Sequence, residues 1–358
     1  MYFIALAADY DGTLAHDGIV SQKTLSALER LKNTGRKLIL VTGRELVDLR
    51  RVFPGVGIFD KVIAENGALI YTPASEEERT LSPPPLENFV SELRNRGVKP
   101  LSIGRSIVAT WEPHQATVLE VIKKFGLELE IVFNKGAVMI LPSGVNKATG
   151  LAAALKDLRL SPRNVVAVGD AENDHAFLQA CGCGVAVDNA LPAVKNSADL
   201  VMSGARGKGV EQLIRKLIKS DRKLVRKSRD AVLLGTVGDK AKYLSPIDTV
   251  LIAGSSGIGK STLATALTEG FLEKGFQFCV MDPEGDYDGL QGAVHLGDGS
   301  TAPTEDQLLD LIAKPDTNVV ANGLALRVTE RPGFFADLLP RLSKLRYSTA
   351  RPHWLVIG

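Results

Sequence analysis

The sequence has few cysteines, no long apolar run and almost no net charge, and each absence excludes a class of protein. Three cysteines in 358 residues exclude a disulfide-based scaffold and favour a reduced, cytoplasmic compartment. No apolar run reaches the roughly 18–20 residues that a membrane-spanning helix needs, and the start MYFIALAADYDG lacks the basic segment and cleavage site of a signal peptide. A net charge of +2 does not by itself indicate nucleic acid or membrane. We therefore expect a cytoplasmic protein without a membrane partner.

What is present is ordinary globular material arranged as alternating strands and helices. The apolar fraction is 45% and the charged fraction 23%, and the length is typical of two or three domains. YFIALAAD and KLILVTG have the apolar character of buried strands, and SQKTLSALERLKNTG between them has helical spacing, with Ser21 as its N-cap and Gly35 at its end. This rhythm predicts βαβ units and a parallel sheet, hence an α/β fold.

The rhythm changes twice along the chain, which predicts its domain organisation. The order αββαββ within 76–144 indicates a small insertion, since the parallel pattern of residues 1–75 resumes over 145–218. A new βαβ pattern begins near residue 248, so we assign 247–358 to another α/β domain. Between them we expect a basic linker over 219–246. Its six basic residues within KSDRKLVRKSRD favour a solvated linker helix, with a phosphate-contacting patch as the alternative.

Two carboxylates crowd together in the stretch DYDGT. Asp9 and Asp11 follow an apolar strand, and the ends of such strands are where open α/β sheets carry their sites. Like charges this close are tolerated when a cation or a shared proton relieves their repulsion. Oxygen ligands favour Mg²⁺, so the pair predicts a magnesium site. The alternative is a turn capped by Asp and Gly.

Three later segments add the remaining groups that phosphate chemistry requires. VTGR ends the next strand, where a hydroxyl and backbone N–H groups can hold a phosphoryl oxygen. Lys147 opens a helix, so its ammonium and the helix N-terminus both favour an anion. Asp170 and Asp174 follow a further apolar strand and can complete a Mg²⁺ shell.

In this order, DYDGT, VTGR, NK and GDAEND resemble the four motifs of the haloacid dehalogenase (HAD) superfamily. ENGA at 65–68 and the αββαββ insertion resemble its subfamily IIB, which includes Cof-type and sugar-phosphate phosphatases. The resemblance covers residues 1–218 and implies a Rossmann-like parallel-sheet core with a small cap. It implies a Mg²⁺-dependent phosphomonoester hydrolase that acts on a small phosphorylated metabolite, with a sugar phosphate favoured. A phosphomutase is the near alternative.

The resemblance also implies a role for each matching residue. Asp9 would attack phosphorus and form an aspartyl-phosphate, and Asp11 would protonate the leaving oxygen and then accept a proton from water. The implied Mg²⁺ ligands are Asp9, the backbone carbonyl of Asp11, Asp170 and, in support, Asp174. The implied phosphate-binding residues are Thr42, Gly43, Lys147 and, in supporting or substrate-contact positions, Arg44 and Asn173.

The insertion would then be a lid that closes over the leaving group and selects the substrate. Its candidates for substrate contact carry no motif, and each is more simply explained as a surface residue. These candidates are Arg105, Trp111, Glu112, His114 and Lys135.

A second motif opens the C-terminal domain. DTVLIAGSSGIGKSTLATAL contains G-x-x-x-x-G-K-S after an apolar run predicted to be a strand and before a predicted helix, which is the context of a P-loop. Its N–H groups would cradle the phosphates of ATP or another nucleoside triphosphate, Lys260 would reach the β- and γ-phosphates, and Ser261 would hold Mg²⁺. The predicted nucleotide-binding residues are Gly254, Gly257, Gly259, Lys260, Ser261 and Thr262.

The P-loop and the acid-rich DPEGDY that follows the next strand resemble the HerA/FtsK-type ATPases over residues 231–358. The final RPHWLVIG looks like the strand that carries the Walker B acid, so we expect the domain to be truncated before that acid. We therefore expect this chain to bind a nucleotide, and we do not expect it to hydrolyse ATP. The alternative to a metabolite phosphatase is a nucleic-acid-linked ATPase, with DNA as partner of a longer protein, whose phosphatase domain trims phosphorylated ends or regulates.

Overall fold

The computed structural model describes residues 1–225 and 230–358, which divide into two compact units. The N-terminal unit comprises residues 3–158 and 162–224. The C-terminal unit comprises residues 1–2, 159–161 and 225–358. In the described parts of the chain, no helix combines the length and apolar character that crossing a bilayer requires.

The N-terminal unit contains two principal sheets and the helices that connect their strands. Its strands are β1 (Ala5–Asp9), β2 (Ala15–His16), β3 (Ile19–Val20), β4 (Lys37–Val41), β5 (Lys61–Ala64), β6 (Leu69–Thr72), β7 (Glu77–Thr80), β8 (Ser102–Ile103), β9 (Val108–Trp111), β10 (Leu129–Asn134), β11 (Ala137–Pro142), β12 (Val165–Gly169), β13 (Cys183–Ala186) and β14 (Leu200–Val201). Its helices are α1 (Gln22–Lys32), α2 (Leu46–Val52), α3 (Glu87–Asn95), α4 (Gln115–Phe125), α5 (Lys147–Asp157), α6 (His175–Ala180), α7 (Pro192–Ser197) and α8 (Gly207–Ser220).

The main sheet of this unit has the strand order β14-β13-β12-β1-β4-β5-β6-β7, parallel from β14 to β5 and antiparallel beyond. The central strands β1 and β12 are wholly buried, as their continuous apolar sequences require of a parallel sheet covered on both faces. Helix α1 begins after Ser21, whose hydroxyl accepts the Thr24 N–H. The Rossmann-like α/β core predicted from the sequence is therefore confirmed.

The insertion forms a separate antiparallel sheet. Its elements follow the order α3, β8, β9, α4, β10, β11, which is the predicted αββαββ pattern. The strand order is β10-β11-β9-β8, and α3 and α4 cover an apolar core that includes Phe89, Leu93 and Val118. One boundary moves: β7 falls inside the predicted cap range 76–144, yet it pairs with β6 in the main sheet. The sheet to which β7 belongs is determined by hydrogen bonds to its neighbouring strand, and the local sequence pattern does not identify that neighbour.

The range expected to be a linker, 219–246, contains regular structure. It includes the end of α8, a 3-10 turn over Asp221–Leu224, and the hairpin of β15 (Val232–Val237) and β16 (Lys240–Leu244). Residues 226–229, the centre of the basic run, lie outside the described residues. The predicted linker helix is therefore described only in part.

The C-terminal unit is a second α/β sheet. Strands β17 (Phe278–Asp282), β18 (Val294–Leu296), β19 (Val319–Asn322) and β20 (Trp354–Ile357) are parallel in the order β18-β19-β17-β20. The helices are α9 (Lys260–Glu273), α10 (Glu305–Ile312) and α11 (Arg331–Thr349). Phe271 of α9 stacks on Trp354 at a centroid distance of 4.2 Å within one of its apolar clusters.

The prediction of a strand directly before the P-loop is wrong. The run DTVLIAG, residues 248–254, forms no strand, and Leu251 within it is 90% exposed. Its apolar character satisfied the pattern of a buried strand. A strand also needs a neighbouring strand to pair with its backbone groups, and local sequence does not supply one.

A buried ion pair joins the start of the N-terminal unit to the turn after α8. Arg36 donates to the Asp221 carboxylate at 3.0 Å and to the carbonyl oxygens of Phe3 and Leu217. The same Asp221 oxygen accepts the Phe3 N–H at 3.2 Å. Asp221, which the sequence analysis placed in the linker, is thus part of the N-terminal unit.

We expect Arg36→Met to lower the free energy of unfolding by about 3–5 kcal/mol, because it leaves the Asp221 carboxylate buried without its guanidinium. Lys37→Met is the matched control, since Lys37 pairs with Asp60 at the surface. Loss of this exposed pair should lower the free energy of unfolding by less than about 1 kcal/mol. Urea unfolding followed by Trp111 fluorescence, in a background where Trp354 is replaced by Phe, measures both. Equal effects of the two substitutions would contradict the prediction.

Candidate active site

Side chains from neighbouring strands converge at one edge of the main sheet. Asp9 is the last residue of β1, Thr42 follows β4, and Asp170 follows β12. These three strands are adjacent and parallel, so their carboxyl ends lie side by side. Sequence motifs that are distant along the chain therefore become a single site.

Lys147 is the cation at the centre of this site. It is the first residue of α5 and its side chain is 1% exposed. The ammonium donates to Asp9 Oδ1 at 2.7 Å and to Asp174 Oδ1 at 2.5 Å. Asn146 caps the helix by accepting the N–H groups of Ala148 and Thr149, which fixes where α5 begins. Lys147 therefore bridges two buried carboxylates.

Burial and crowding shift the pKa values of these groups. Burial, then the charges of Asp174 and Asp170, raise the pKa of Asp9 well above its usual range, and Lys147 opposes the rise. Burial also raises the pKa of Asp170, while Lys135 and Thr13 lower it. For Lys147, burial lowers the pKa, but Asp174 and Asp9 outweigh burial, so the net pKa is raised and the ammonium keeps its charge.

Asp170 is surrounded by hydrogen-bond donors. Thr13 donates to Oδ1 at 3.0 Å, and Asn189 and Lys135 donate to Oδ2 at 3.3 and 2.6 Å. Gly12 passes so close that a Cβ there would lie 2.7 Å from the Lys135 ammonium, with its backbone at φ +86°, which favours glycine. Neither Thr13 nor Asn189 was among the predicted site residues, although Thr13 is the last residue of DYDGT and Asn189 follows β13.

Three carboxylates can hold a divalent cation here. Asp9, Asp170 and Asp174 each offer an oxygen, and these atoms lie within 4.8 Å of one another. All three are buried, and hard anionic oxygens are the donors that Mg²⁺ prefers. The donor set therefore fits the predicted metal. The carboxylate of Asp11 is not among these three, and its predicted role as a ligand through the backbone carbonyl stays a prediction.

Asp11 is held by Arg44 instead. Arg44 donates Nε to Asp11 Oδ2 at 2.6 Å and Nη2 to Asp11 Oδ1 at 2.8 Å, and it also contacts Asp48 at 2.5 Å. The hydrogen bond to Asp11 is the main cause that raises the pKa of Arg44. The guanidinium predicted to contact phosphate is thus paired with the predicted acid. The two hydrogen bonds from Arg44 position the Asp11 side chain, which is 39% exposed.

The remaining predicted phosphate-site residues lie next to one another. The buried Thr42 hydroxyl accepts the Arg44 N–H at 3.1 Å. A Cβ on Gly43 would lie 3.7 Å from Asn173 Nδ2, so the two motifs are neighbours. Asn173 donates to Asn66 Oδ1 at 2.9 Å, and its own Oδ1 is buried without a hydrogen-bond partner among the described residues.

Glu65 joins the core to the cap. Its carboxylate is 1% exposed and accepts the backbone N–H groups of Arg105 and Ser106, both at 2.9 Å. Glu65 itself has φ +52°, a left-handed conformation that is uncommon outside glycine and asparagine. The motif ENGA thus anchors the cap strand loop to the core. Sequence analysis used this motif only as a family marker and missed the anchor.

In the C-terminal unit the predicted P-loop precedes a helix as expected. Gly257 and Gly259 have φ of +80° and +97°, and α9 begins at Lys260, whose ammonium donates to the Ser255 carbonyl at 3.0 Å. Ser261 donates to Asp286 Oδ2 at 2.5 Å. Also in this segment, Gly254 and Thr262 are exposed.

Asp286 belongs to the acid-rich DPEGDY that follows β17. Asp282, 1% exposed, accepts the N–H groups of Gly285, Asp286 and Tyr287, which shapes this loop. A carboxylate therefore stands at the P-loop serine within the chain itself. The sequence analysis expected the acidic partner of the P-loop to come after β20 and did not assign this role to Asp286.

Comparison with known proteins agrees with this geometry. Residues 6–132 and 91–214 match the family described as haloacid dehalogenase-like hydrolase, which together is more than half of the chain. The chain belongs to this family. The predicted enzyme class, a HAD-type phosphatase, is confirmed. Residues 248–331 match the family described as the central domain of helicase HerA.

Characterised relatives and solved structures match the same region. A phosphoglycolate phosphatase of Methanothermobacter thermautotrophicus is 31% identical, with 60% of this chain and 98% of the relative covered. A 5-amino-6-(5-phospho-D-ribitylamino)uracil phosphatase of Bacillus subtilis is 29% identical, with 59% and 94% covered. A solved HAD-like hydrolase of Bacteroides thetaiotaomicron has a TM-score of 0.51 at 19% identity, with 60% and 99% covered. The solved structure of a HAD subclass IIB sugar phosphatase also has a TM-score of 0.51, at 20% identity, with 60% of this chain and 98% of the other covered.

We expect Glu65→Gln to loosen the joint between core and cap. The amide presents an N–H group to one of the two backbone donors, so at least one hydrogen bond is lost, and exchange of the Arg105 and Ser106 amides should accelerate about 10-fold. Glu78→Gln is the control, because Glu78 pairs with the exposed Arg105 side chain at 3.3 Å. Hydrogen-exchange mass spectrometry measures the effect, and unchanged protection at both amides would refute it.

Proposed function

We propose that the N-terminal unit is a Mg²⁺-dependent phosphomonoester hydrolase that acts through an aspartyl-phosphate on Asp9. The observation that carries this proposal is the bridge of Lys147 between Asp9 and Asp174, beside Asp170. It supports a buried site with a nucleophile, a fixed ammonium and donors for one divalent cation. Mg²⁺, held by Asp9, Asp170 and Asp174, would offset charge on the phosphoryl oxygens.

In the first step an oxygen of Asp9 attacks phosphorus and the ester bond to the leaving group breaks. Asp11 gives its proton to the leaving oxygen. In the second step water attacks the phosphorus of the aspartyl-phosphate, Asp11 takes a proton from that water, and inorganic phosphate leaves with Asp9 restored. The two hydrogen bonds from Arg44 orient the Asp11 carboxylate, and one of them must break before that oxygen carries the proton.

The groups around phosphorus supply positive charge and hydrogen-bond donors. The Lys147 ammonium lies 2.7 Å from Asp9 Oδ1, and the Thr42 hydroxyl and Gly43 backbone follow the end of β4. Such preorganised groups stabilise the charge that spreads over the phosphoryl oxygens during transfer. Burial raises the pKa of Asp9, so its nucleophilic anion depends on Lys147 and a bound cation.

The substrate we propose is a small phosphorylated metabolite. The characterised relatives named phosphoglycolate phosphatase favour a short phosphorylated acid, 2-phosphoglycolate, over the sugar phosphate expected from the sequence. Sugar phosphates remain a prediction. A phosphomutase is distinguished by product analysis, since it would yield an isomerised sugar phosphate and no stoichiometric inorganic phosphate.

We expect Asp9→Asn to lower phosphate release by about 10³-fold or more, because an amide cannot form the aspartyl-phosphate. Initial rates on 2-phosphoglycolate and on a sugar-phosphate panel, with Mg²⁺ present, measure the loss. Rapid acid quenching followed by mass spectrometry should detect phosphate on Asp9 of the unmodified protein. Asp157→Asn, at the end of α5 in a surface ion pair, is the control. Full activity of Asp9→Asn would exclude the proposed nucleophile.

We further propose that the C-terminal unit binds a nucleoside triphosphate. The P-loop glycines, the position of Lys260 at the start of α9 and the contact of Ser261 with Asp286 support this. The donor set of a serine hydroxyl and a carboxylate suits a Mg²⁺ that accompanies the nucleotide. The nucleic-acid-linked ATPase and its DNA partner stay predictions, to be tested by DNA-stimulated ATP hydrolysis of a longer protein.

Lys260→Ala should weaken ATP binding about 10-fold or more, since it removes a charge-assisted hydrogen bond to phosphate. Titration with a fluorescent ATP analogue, with and without Mg²⁺, gives the affinities. Lys344→Ala on α11 is exposed and serves as the control. Equal affinity of Lys260→Ala and the unmodified protein would remove the nucleotide-binding proposal.

A further inference from the structure

Lys135 is a cap residue whose side chain reaches the core site. It lies in the two-residue turn between β10 and β11, and its ammonium is 2.6 Å from Asp170 Oδ2. The lysine side chain is 48% exposed, whereas that of Asp170 is 1% exposed. A cation of the cap thus stands at the opening of the phosphoryl site, close to the nucleophile loop at Gly12.

The backbone at Lys135 is adopted against local preference. Lys135 and Gly136 have φ of +50° and +88°, as in a type I′ turn, where asparagine or glycine is favoured at the first position. A lysine in this conformation is less favourable than asparagine or glycine. The turn is nevertheless held firmly, since Glu112 donates its N–H to the Gly136 carbonyl and the Trp111 ring lies against Gly136.

Asp170 does not depend on Lys135 for its hydrogen bonds. Thr13 donates to one carboxylate oxygen and Asn189 to the other, so both oxygens keep a donor if the ammonium moves away. A divalent cation bound at Asp170 would compete for the same oxygen. The half-exposed ammonium is therefore available to pair with a different anion at the opening of the site.

Two other cations of the cap are paired with carboxylates. Arg105 contacts Glu78 at 3.3 Å, and Lys124 contacts Glu92 at 2.9 Å. The position of Lys135, rather than its charge alone, distinguishes it from these residues.

We propose that Lys135 determines substrate specificity by pairing its ammonium with a carboxylate on the leaving group of the phosphorylated substrate. This inference rests on the proposed phosphatase function and adds the cap residue that recognises the carboxylate of a phosphorylated short carboxylic acid. The phosphoryl group occupies the site at Asp9 while the carboxylate faces the cap. This charge-assisted pair would favour phosphate esters whose leaving group carries a carboxylate over esters of neutral alcohols.

The test compares 2-phosphoglycolate with ethyl phosphate, which lacks the carboxylate. Lys135→Met should lower the ratio of their kcat/KM values about 10- to 100-fold, chiefly through KM for 2-phosphoglycolate. Lys135→Arg, which keeps the charge, should restore most of the ratio. Lys123→Met on α4 is the matched control, because Lys123 is an exposed cap lysine, and it should leave the ratio unchanged.

An unchanged ratio in Lys135→Met overturns the inference, whether the two rates fall together or stay the same. If the unmodified protein hydrolyses no phosphomonoester, the proposed function itself fails. In that event, calorimetric binding of 2-phosphoglycolate to Asp9→Asn still decides the role of Lys135. Weaker binding in Asp9→Asn/Lys135→Met than in Asp9→Asn supports the inference, and equal binding refutes it.

Discussion

The N-terminal site depends on one interaction, the bridge that the buried Lys147 ammonium makes between Asp9 and Asp174. Three carboxylates lie together at the end of the parallel sheet, and burial raises the pKa of Asp9 and of Asp170. Lys147 supplies a fixed opposing charge in the same buried space. Its location follows from the Asn146 cap, which determines the first turn of α5. A helix start thereby fixes the electrostatics of residues on two distant segments.

The two aspartates of DYDGT are separated by their surroundings. Asp9 points inward to Lys147 and the carboxylate group, while Asp11 points toward Arg44 and the more exposed side. Within a strand, residues two apart point to the same face. Because β1 ends at Asp9, Asp11 lies outside the strand and its side chain enters a different environment. The proposed division into nucleophile and proton carrier matches this difference in environment.

Two of the polar contacts between the cap and the core differ in character. Glu65 holds the cap loop at Arg105 and Ser106, and Lys135 reaches Asp170 from the opposite hairpin. The first contact is buried and uses backbone donors, so it suits a permanent joint. The second is half-exposed and uses a flexible lysine, so it suits exchange with a substrate. This contrast is why we assign anchoring to Glu65 and selection to Lys135.

The sequence by itself determined the α/β class, the αββαββ insertion, the three carboxylates and the lysine that opens α5, because strand periodicity and motif spacing are local properties. Only the tertiary structure decided which groups meet: Arg44 pairs with Asp11, β7 joins the main sheet, and Asp286 stands at Ser261. The apolar run 248–254 predicted a strand that does not form. Pairing partners of strands and charges come from distant parts of the chain, and local pattern carries no information about them.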